Sequence, residues 1–296
     1  MKNIELSIII VSFNTCKLLE SCLQSIYFNE NIESEKQLVY EVIVTDNYSV
    51  DGSIEMVEKK YPQVRLIKNN SNVGFGKANN QGIKIAKGNT ILFLNSDILV
   101  QKNAIIRLYK YFTQLPSKSI VGGRLFNLDG SPQPSCGPAY TLINIFVALF
   151  LKGDYLHLTR YSPQSEKEVD WVMGACIMAE KKAFKEIGGF DEGIFMYMEE
   201  IDWQFRAKQL DYRIFFYPNA QFTHVGAASS QGRATPILNV FKGFKYFYKK
   251  HFPGWKEYCL RVFLLLKSLM AIALFTIMNK KNDHKLYKDA LKIAIS

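Results

Sequence analysis

The chain opens on an alternation of apolar runs and amphipathic stretches. Leu6 to Val11 is a run of mostly β-branched residues and predicts a buried strand. The polar Ser12-Phe13-Asn14-Thr15 follows, and Leu18, Leu19, Cys22, Leu23 and Ile26 then recur at helical spacing. Residues 41–45 predict a second strand ending on Asp46-Asn47, after which the turn cluster 49–53 opens a helix carrying Ile54 and Val57. Val64 to Ile67 reads as a third strand, Asn79 to Ala86 as a helix, and Thr90 to Leu94 as a fourth strand ending on Asn95-Ser96-Asp97. This alternation predicts an α/β fold built on a parallel, doubly wound sheet with flanking helices. Ligands bind such sheets outside the carboxyl ends of the strands, where Asp46 and Asp97 stand.

Beyond residue 100 the pattern changes. Ser131 to Pro138 is rich in Pro, Ser and Gly and reads as a loop. The apolar Leu142–Leu151 that follows is shorter than the ~20 residues of a membrane span. Trp171 to Cys176 precedes a short helix from Lys181 that Gly188-Gly189 stops, and an acidic helix start at Glu199-Glu200-Ile201-Asp202 leads to a strand over 213–217. Near the end, Val240, Phe241, Phe244, Phe247 and Tyr248 share one helical face and Lys242, Lys245 and Lys249 the other. Val262 to Met278 is mostly apolar but interrupted by Lys267.

Composition sharpens this division. An apolar fraction of 48% over 296 residues excludes disorder and low-complexity structure, and the length suits one large domain with an appendage. The net charge of +10 is unevenly held: residues 1–232 carry 24 Lys+Arg and 24 Asp+Glu, residues 233–296 carry 13 and 3. The expectation is a neutral body, 1–232, and a basic helical module, 233–296, whose amphipathic start either lies on an anionic membrane surface or packs on the body as an ordinary surface helix. Nucleic acid is disfavoured as a partner, because the tail aromatics share a face with aliphatic residues and no nucleic-acid-binding signature is present. Five scattered cysteines without a CxxC pair point to a reducing cytoplasm. Met1 to Glu5 runs straight into a strand pattern, which reads as a chain without a secretory leader.

Four clusters could carry chemistry. Gly74 and Gly76 begin a GxGxxG-like pattern whose third position is Asn79; the bare backbone either admits a nucleotide or turns the chain into a helix. Asp97 after its strand either holds Mg²⁺ or Mn²⁺ with substrate phosphates or caps a turn. Glu199, Glu200 and Asp202 supply either a general base or a favourable charge at a helix start, with Asp202 and Arg206 spaced for an i,i+4 pair. His224, paired with a strand-end Asp, suits a transition-type divalent ion, and Trp171 and Trp203 either stack on a sugar or fill core.

Taken in order, these motifs resemble those of the inverting GT-A glycosyltransferases of family 2, in particular the rhamnosyltransferase-like bacterial branch. Residues 7–14, ending on Ser12 and Asn14, are similar to the family's first strand and nucleotide loop, and residues 44–53 to its "VDNxSxDGS" element. Asn72-Val73-Gly74-Phe75-Gly76 with Asn79-Asn80-Gln81-Gly82 resembles its "NxGFaxgnNxG" stretch. Asn95-Ser96-Asp97 stands where the family has its DxD-type motif, Asn replacing the first Asp, and residues 198–202 resemble "fEDvDl". The resemblance implies a nucleotide-sugar donor, dTDP- or UDP-linked, held by Ser12, Asn14, Asp46, Asn47, Asn72, Gly74, Phe75, Asn79, Asn95 and Ser96. It implies a divalent cation on Asp97 and His224, with Glu200 as base and Glu199 as second candidate. Trp171, Gly174, Asp202 and Trp203 fall to a glycan or lipid-linked acceptor. The "QxxRW" motif of processive synthases is absent, which implies one sugar per acceptor. The competing readings are a sugar nucleotidyltransferase and a non-catalytic membrane scaffold.

Overall fold

The computed structural model describes residues 3–29, 38–226 and 234–296. Its first part is the predicted alternation: β1 (Leu6–Ser12), α1 (Cys16–Asn29), β2 (Tyr40–Asp46), α2 (Ser53–Lys60), β3 (Arg65–Lys68), α3 (Phe75–Ile85) and β4 (Thr90–Asn95). The strands lie parallel in the order β3-β2-β1-β4. Ile8, Ile10, Val42, Val44, Leu92 and Leu94 feed one core, and Ile9, Ile43, Ile91 and Phe93 the core on the other face. Burial on both faces is why these strands read as continuous apolar runs rather than as alternation. Helix α1 buries Leu19, Cys22, Leu23 and Ile26, the stripe its spacing predicted.

The second part is mixed. It comprises β5 (Ile98–Val100), α4 (Ala104–Phe112), β6 (Ser119–Phe126), β7 (Pro132–Gln133), β8 (Cys136–Gly137), α5 (Leu142–Phe150), β9 (Lys167–Val169), β10 (Trp171–Val172), β11 (Cys176–Glu180), α6 (Ala183–Glu186), α7 (Glu199–Lys208) and β12 (Arg213–His224). β11 inserts antiparallel between β4 and β6, and the sheet continues through β12 to β5. The parallel stretch expected from the first hundred residues is therefore one half of a larger α/β sheet. β12 runs past the predicted end at 217: its register shifts between Tyr217 and Gln221, around Pro218, which has no N–H for the ladder. That irregularity looks like a turn in sequence, yet the strand resumes and ends on His224.

Three helices close the chain: α8 (Ala234–His251), α9 (Trp255–Ile277) and α10 (Lys281–Ile295). The expected boundary at 232/233 lies outside the described residues. The apolar face of α8 decides between its two expected roles. Phe241, Phe244, Phe247 and Tyr248 are buried in one cluster with Ile145, Trp171, Met198 and Ile201, so this stripe docks the helix on the body instead of facing a membrane. Each such side chain contributes about 1.5–3 kcal/mol through burial, enough to hold α8 against α5 and α7. On α9, Leu260, Leu264, Ser268 and Ala271 are buried, while Trp255, Tyr258, Leu266, Leu269 and Ile277 form an exposed stripe on the opposite side and Leu274 is exposed at its margin. Lys267 leaves that stripe and donates to Leu149 O at 2.6 Å, near the end of α5. Among the described residues α9 is the one helix long and apolar enough to cross a membrane.

Candidate active site

Strand register brings three separated motifs to one edge. Ser12 pairs with Asp46 across β1 and β2, and Val11 with Asn95 across β1 and β4. The strand order reverses at this edge, the usual position for a ligand crevice in an α/β sheet. Asp46 is buried; its Oδ1 accepts the Ser49 N–H at 2.8 Å and its Oδ2 is buried with no partner. A buried acceptor left open in this way costs free energy unless a ligand supplies a donor.

The other predicted nucleotide residues build the walls around Asp46. Asn14, at φ 52°, accepts the Val50 N–H on Oδ1 and donates its own N–H to Ser49 Oγ, tying the loop after β1 to the loop after β2. Ser12, Thr15 and Ser96 form a chain of buried hydroxyls, at 3.1 and 3.0 Å. Asn47 donates to Gly74 O and accepts from Asn69; Asn72 accepts the Gly74 N–H; Asn79 donates to Phe75 O inside α3. Gly74 has φ 88°, and a Cβ there would sit 2.6 Å from Phe195 O, the same carbonyl that accepts the Phe75 N–H. The bare backbone of the glycine loop thus admits the segment leading into α7, where a nucleotide was one of the two expected occupants.

Asp97 and His224 meet because β5 pairs with the end of β12. Asp97 Oδ1 is 3.3 Å from His224 Nε2, and its Oδ2 accepts the Gly226 N–H at 2.9 Å. Asn127 Oδ1 accepts from Gln133 Nε2, which turns Gln133 Oε1 toward His224 Nδ1 at 2.7 Å. Nδ1 then carries the proton, and the Nε2 lone pair faces Asp97 and accepts from Asn95 Nδ2 at 3.3 Å. Asn95 adds a buried Oδ1 without a partner. An imidazole nitrogen, a carboxylate oxygen and an amide oxygen fit a divalent cation that takes its remaining ligands from phosphate and water. The described residues contain no group of three or more His, Cys, Asp or Glu that could hold an ion by themselves.

Glu199 and Glu200 open α7 behind Tyr197 and Met198, both at positive φ (68° and 80°). Two non-glycine residues in this region store strain of about 1–3 kcal/mol each, a frequent feature of functional sites. Burial lifts the Glu199 carboxyl well above its usual range, and the charge of Glu200 adds to the effect. Burial lifts Glu200 as well, but backbone N–H groups, including that of Gly174, and the Arg160 guanidinium pull it back. Glu200 is therefore the better place for the negative charge of the two. Each has an Oε2 that is buried and unpartnered. Both line a cleft of about 460 Å³ whose walls also include Gly174, Trp171, Asn95 and His224.

Residues 7–203 match the sequence model of Glycosyl transferase family 2. The chain belongs to this family. Among the relatives of this family 2 glycosyltransferase is the N-acetylglucosaminyl-diphospho-decaprenol L-rhamnosyltransferase of Mycobacterium tuberculosis, 28% identical over 72% of this chain and 76% of that one. Another is rhamnosyltransferase WbbL of Escherichia coli, 26% identical over 69% of this chain and 79% of that one. The fold is that of the mannosyltransferase PcManGT from Pyrobaculum calidifontis, solved with GDP-Man and Mn²⁺, at a TM-score of 0.60. That match covers 98% of this chain and 86% of the other at 13% identity. The GT-A fold and the likeness to rhamnosyltransferases expected from the motifs are thereby found.

Two predicted acceptor residues of the glycosyltransferase do not reach the cleft. Trp203 is fully buried, stacked on Phe184 with ring centroids 4.5 Å apart, and its Nε1 donates to Gly188 O. Its large ring fills core between α7 and the sheet. Asp202 is also fully buried and accepts from Arg206 (2.8 Å), Lys250 (2.8 Å) and His251 (2.7 Å). The i,i+4 pair with Arg206 is present, and two residues of α8 extend it into a clamp between α7 and α8. Three cleft or support residues were missed: Gln133, Tyr140 and Arg160. Gln133 lies in the stretch read as a loop, and neither of the others belongs to a spaced motif; only the fold brings them to Glu200 and His224.

Proposed function

We propose that this family 2 glycosyltransferase is a metal-dependent, inverting enzyme that transfers one sugar to a lipid-linked glycan acceptor in cell-surface polysaccharide synthesis. The donor is dTDP-rhamnose or a UDP-hexose, a reading supported by the rhamnosyltransferase relatives. One observation carries the proposal: a single cleft holds the carboxylates of α7 on one side and Asn95 and His224 on another. Asp46 Oδ2, buried and open, would accept the N3–H that uracil and thymine share. Asp97 and His224, with Asn95 beside them, would hold the cation. That ion, bound, neutralises charge on the leaving diphosphate.

Glu200 takes the proton as the acceptor O–H bond breaks, and the freed oxygen forms its bond to the anomeric carbon. The bond from that carbon to the donor phosphate breaks from the opposite face, and the nucleoside diphosphate leaves with the electron pair. A pyrimidine nucleotide screen with Mn²⁺ and membrane extract tests this. Sugar transfer from a UDP or dTDP donor, lost on chelation and restored by Mn²⁺, is the expected result; transfer indifferent to chelation contradicts the metal assignment.

The working location proposed is the cytoplasmic face of the membrane. The exposed stripe of α9 supports it, together with Lys281, Lys285, Lys288 and Lys292, which are exposed along one side of α10. An apolar stripe beside a basic one suits a helix lying in an anionic interface. Because α8 shares the body's core, point changes are a cleaner test than truncation. Leu269→Glu with Leu274→Glu is expected to release the full chain from phosphatidylglycerol vesicles in a sedimentation assay. Unchanged sedimentation would refute docking through α9.

A further inference from the structure

A half-buried arginine without a carboxylate partner stands beside the proposed base. Arg160 lines the cleft with Glu200, and its Nε is buried and unpartnered. A terminal N–H makes one long contact with Pro134 O, at 3.5 Å, and the guanidinium lies 5.6 Å from the centre of the Trp171 ring. Among the described residues no Asp or Glu forms an ion pair with it. Asp154 lines the same cleft, but its Oδ1 already accepts from Thr159 Oγ1 at 2.6 Å. A guanidinium in this state has donors to spare and suits an oxyanion with two or more oxygens.

What surrounds Arg160 narrows the choice of oxyanion. It closes the segment 151–160, which is tied to α5 by the Gly153 N–H to Val147 O (3.0 Å) and turns on itself through the Leu158 N–H to Gly153 O (2.8 Å). This segment and α5 together expose Ile143, Phe146, Leu151, Tyr155, Leu156 and Leu158, while Ala148 and Leu149 reach the cleft. Carboxylates of α7, the guanidinium and an apolar shelf thus adjoin one another. Those three surfaces match the three parts of one molecule: a sugar hydroxyl, the phosphate that carries the sugar, and a hydrocarbon chain. We propose that Arg160 anchors the phosphate of a prenyl phosphate- or diphosphate-linked acceptor, with the prenyl chain along α5 and residues 151–158. The proposal rests on the reading of Glu200 as the base that faces the acceptor.

A diphosphate can also come from the donor, so the experiment has an arm for each. Binding to the full chain is followed by quenching of tryptophan fluorescence, since Trp171 lies against Arg160, using farnesyl diphosphate, farnesol, and UDP with Mn²⁺ as separate probes. Wild type is expected to bind farnesyl diphosphate saturably and farnesol far more weakly. Arg160→Ala is expected to weaken farnesyl diphosphate by roughly ten- to hundredfold, the loss typical of a charge-assisted contact, with Arg160→Lys intermediate. UDP affinity should change by less than about threefold, because the donor phosphates lie with Asp97 and His224 on this account. Equal binding of farnesol and farnesyl diphosphate, or a loss confined to UDP, overturns the proposal; the second result assigns Arg160 to the donor. If Arg160→Ala does not fold, Arg160→Gln and Arg160→Lys give the same readout. Prenyl diphosphate binding does not depend on proton transfer, so it stands or falls separately from the turnover of Glu200→Gln.

Discussion

Replacing Asp202 by Asn separates a structural clamp from an acceptor contact. The carboxylate is fully buried and holds Arg206 of α7 together with Lys250 and His251 of α8. Removing one partner of a buried ion pair costs about 3–5 kcal/mol when the other charge is left alone. Of its three partners, the two permanent cations are not left alone: Arg206 keeps Ile187 O and Gly189 O at 2.6 and 2.7 Å, and Lys250 keeps Asp191 and is 31% exposed. Asn also preserves the shape and part of the hydrogen bonding, so the expected loss is about 2–3 kcal/mol. For a chain of 296 residues that corresponds to a fall in Tm of roughly 3–5 °C. Thermal unfolding followed by circular dichroism reads it directly, and turnover measured well below the new Tm reads the rest. The clamp account predicts a lower Tm with little change in KM for acceptor at low temperature. A Tm within about 1 °C of wild type, combined with a selective rise in acceptor KM, would refute it and return Asp202 to the acceptor site.

Two further outcomes follow from the same site. Glu199→Gln removes a carboxyl whose charged form is disfavoured by burial and by the Glu200 charge. The stability effect has a defined sign. The folded-state pKa of Glu199 lies above the ordinary 4.5, so the unfolded chain ionises first and the residue costs stability increasingly from about pH 4.5 upward. Glu199→Gln should therefore raise Tm more at pH 8 than at pH 5, and a gain confined to acid pH would contradict the burial argument. Gln133→Ala removes the acceptor that fixes the His224 tautomer, and the Mn²⁺ concentration for half-maximal activity should rise roughly 10- to 100-fold. An unchanged Mn²⁺ requirement would show that His224 is not a ligand.

The parallel half of the fold was legible because its determinants are local. Apolar runs buried on both faces, helical spacing in α1 and the acids at strand ends are all properties of short windows. The insertion of β11 between β4 and β6 was not legible, since strand pairing across that distance leaves no periodic mark in either segment. The amphipathic face of α8 was seen correctly as a face, but periodicity does not name what covers it; Trp171, Met198 and Ile201 do. Within the site, Asp97 and His224 come within 3.3 Å, while Asp202 and Trp203 turn into the interior. Several of those residues, such as Asn14, Asn47 and Asn79, use their side chains to bond neighbouring backbone and side-chain groups. A motif records that an Asn is required, not whether a ligand or the backbone requires it. Gln133 and Arg160 belong to no motif because one bonds a histidine from the short strand β7 and the other enters the cleft from a segment distant in sequence.

The central claim is that Glu200 drives transfer within a cleft that also holds the donor. The most direct test compares nucleoside diphosphate release by wild type and Glu200→Gln from UDP- and dTDP-sugars, with Mn²⁺ and membrane extract as acceptor. The account predicts acceptor-dependent release by wild type and a loss of roughly 10²–10⁴-fold in Glu200→Gln, with UDP binding and Tm retained. Equal release by the two proteins, or none by wild type with any pyrimidine donor, would contradict it; the latter would mark the chain as a non-catalytic member of its family.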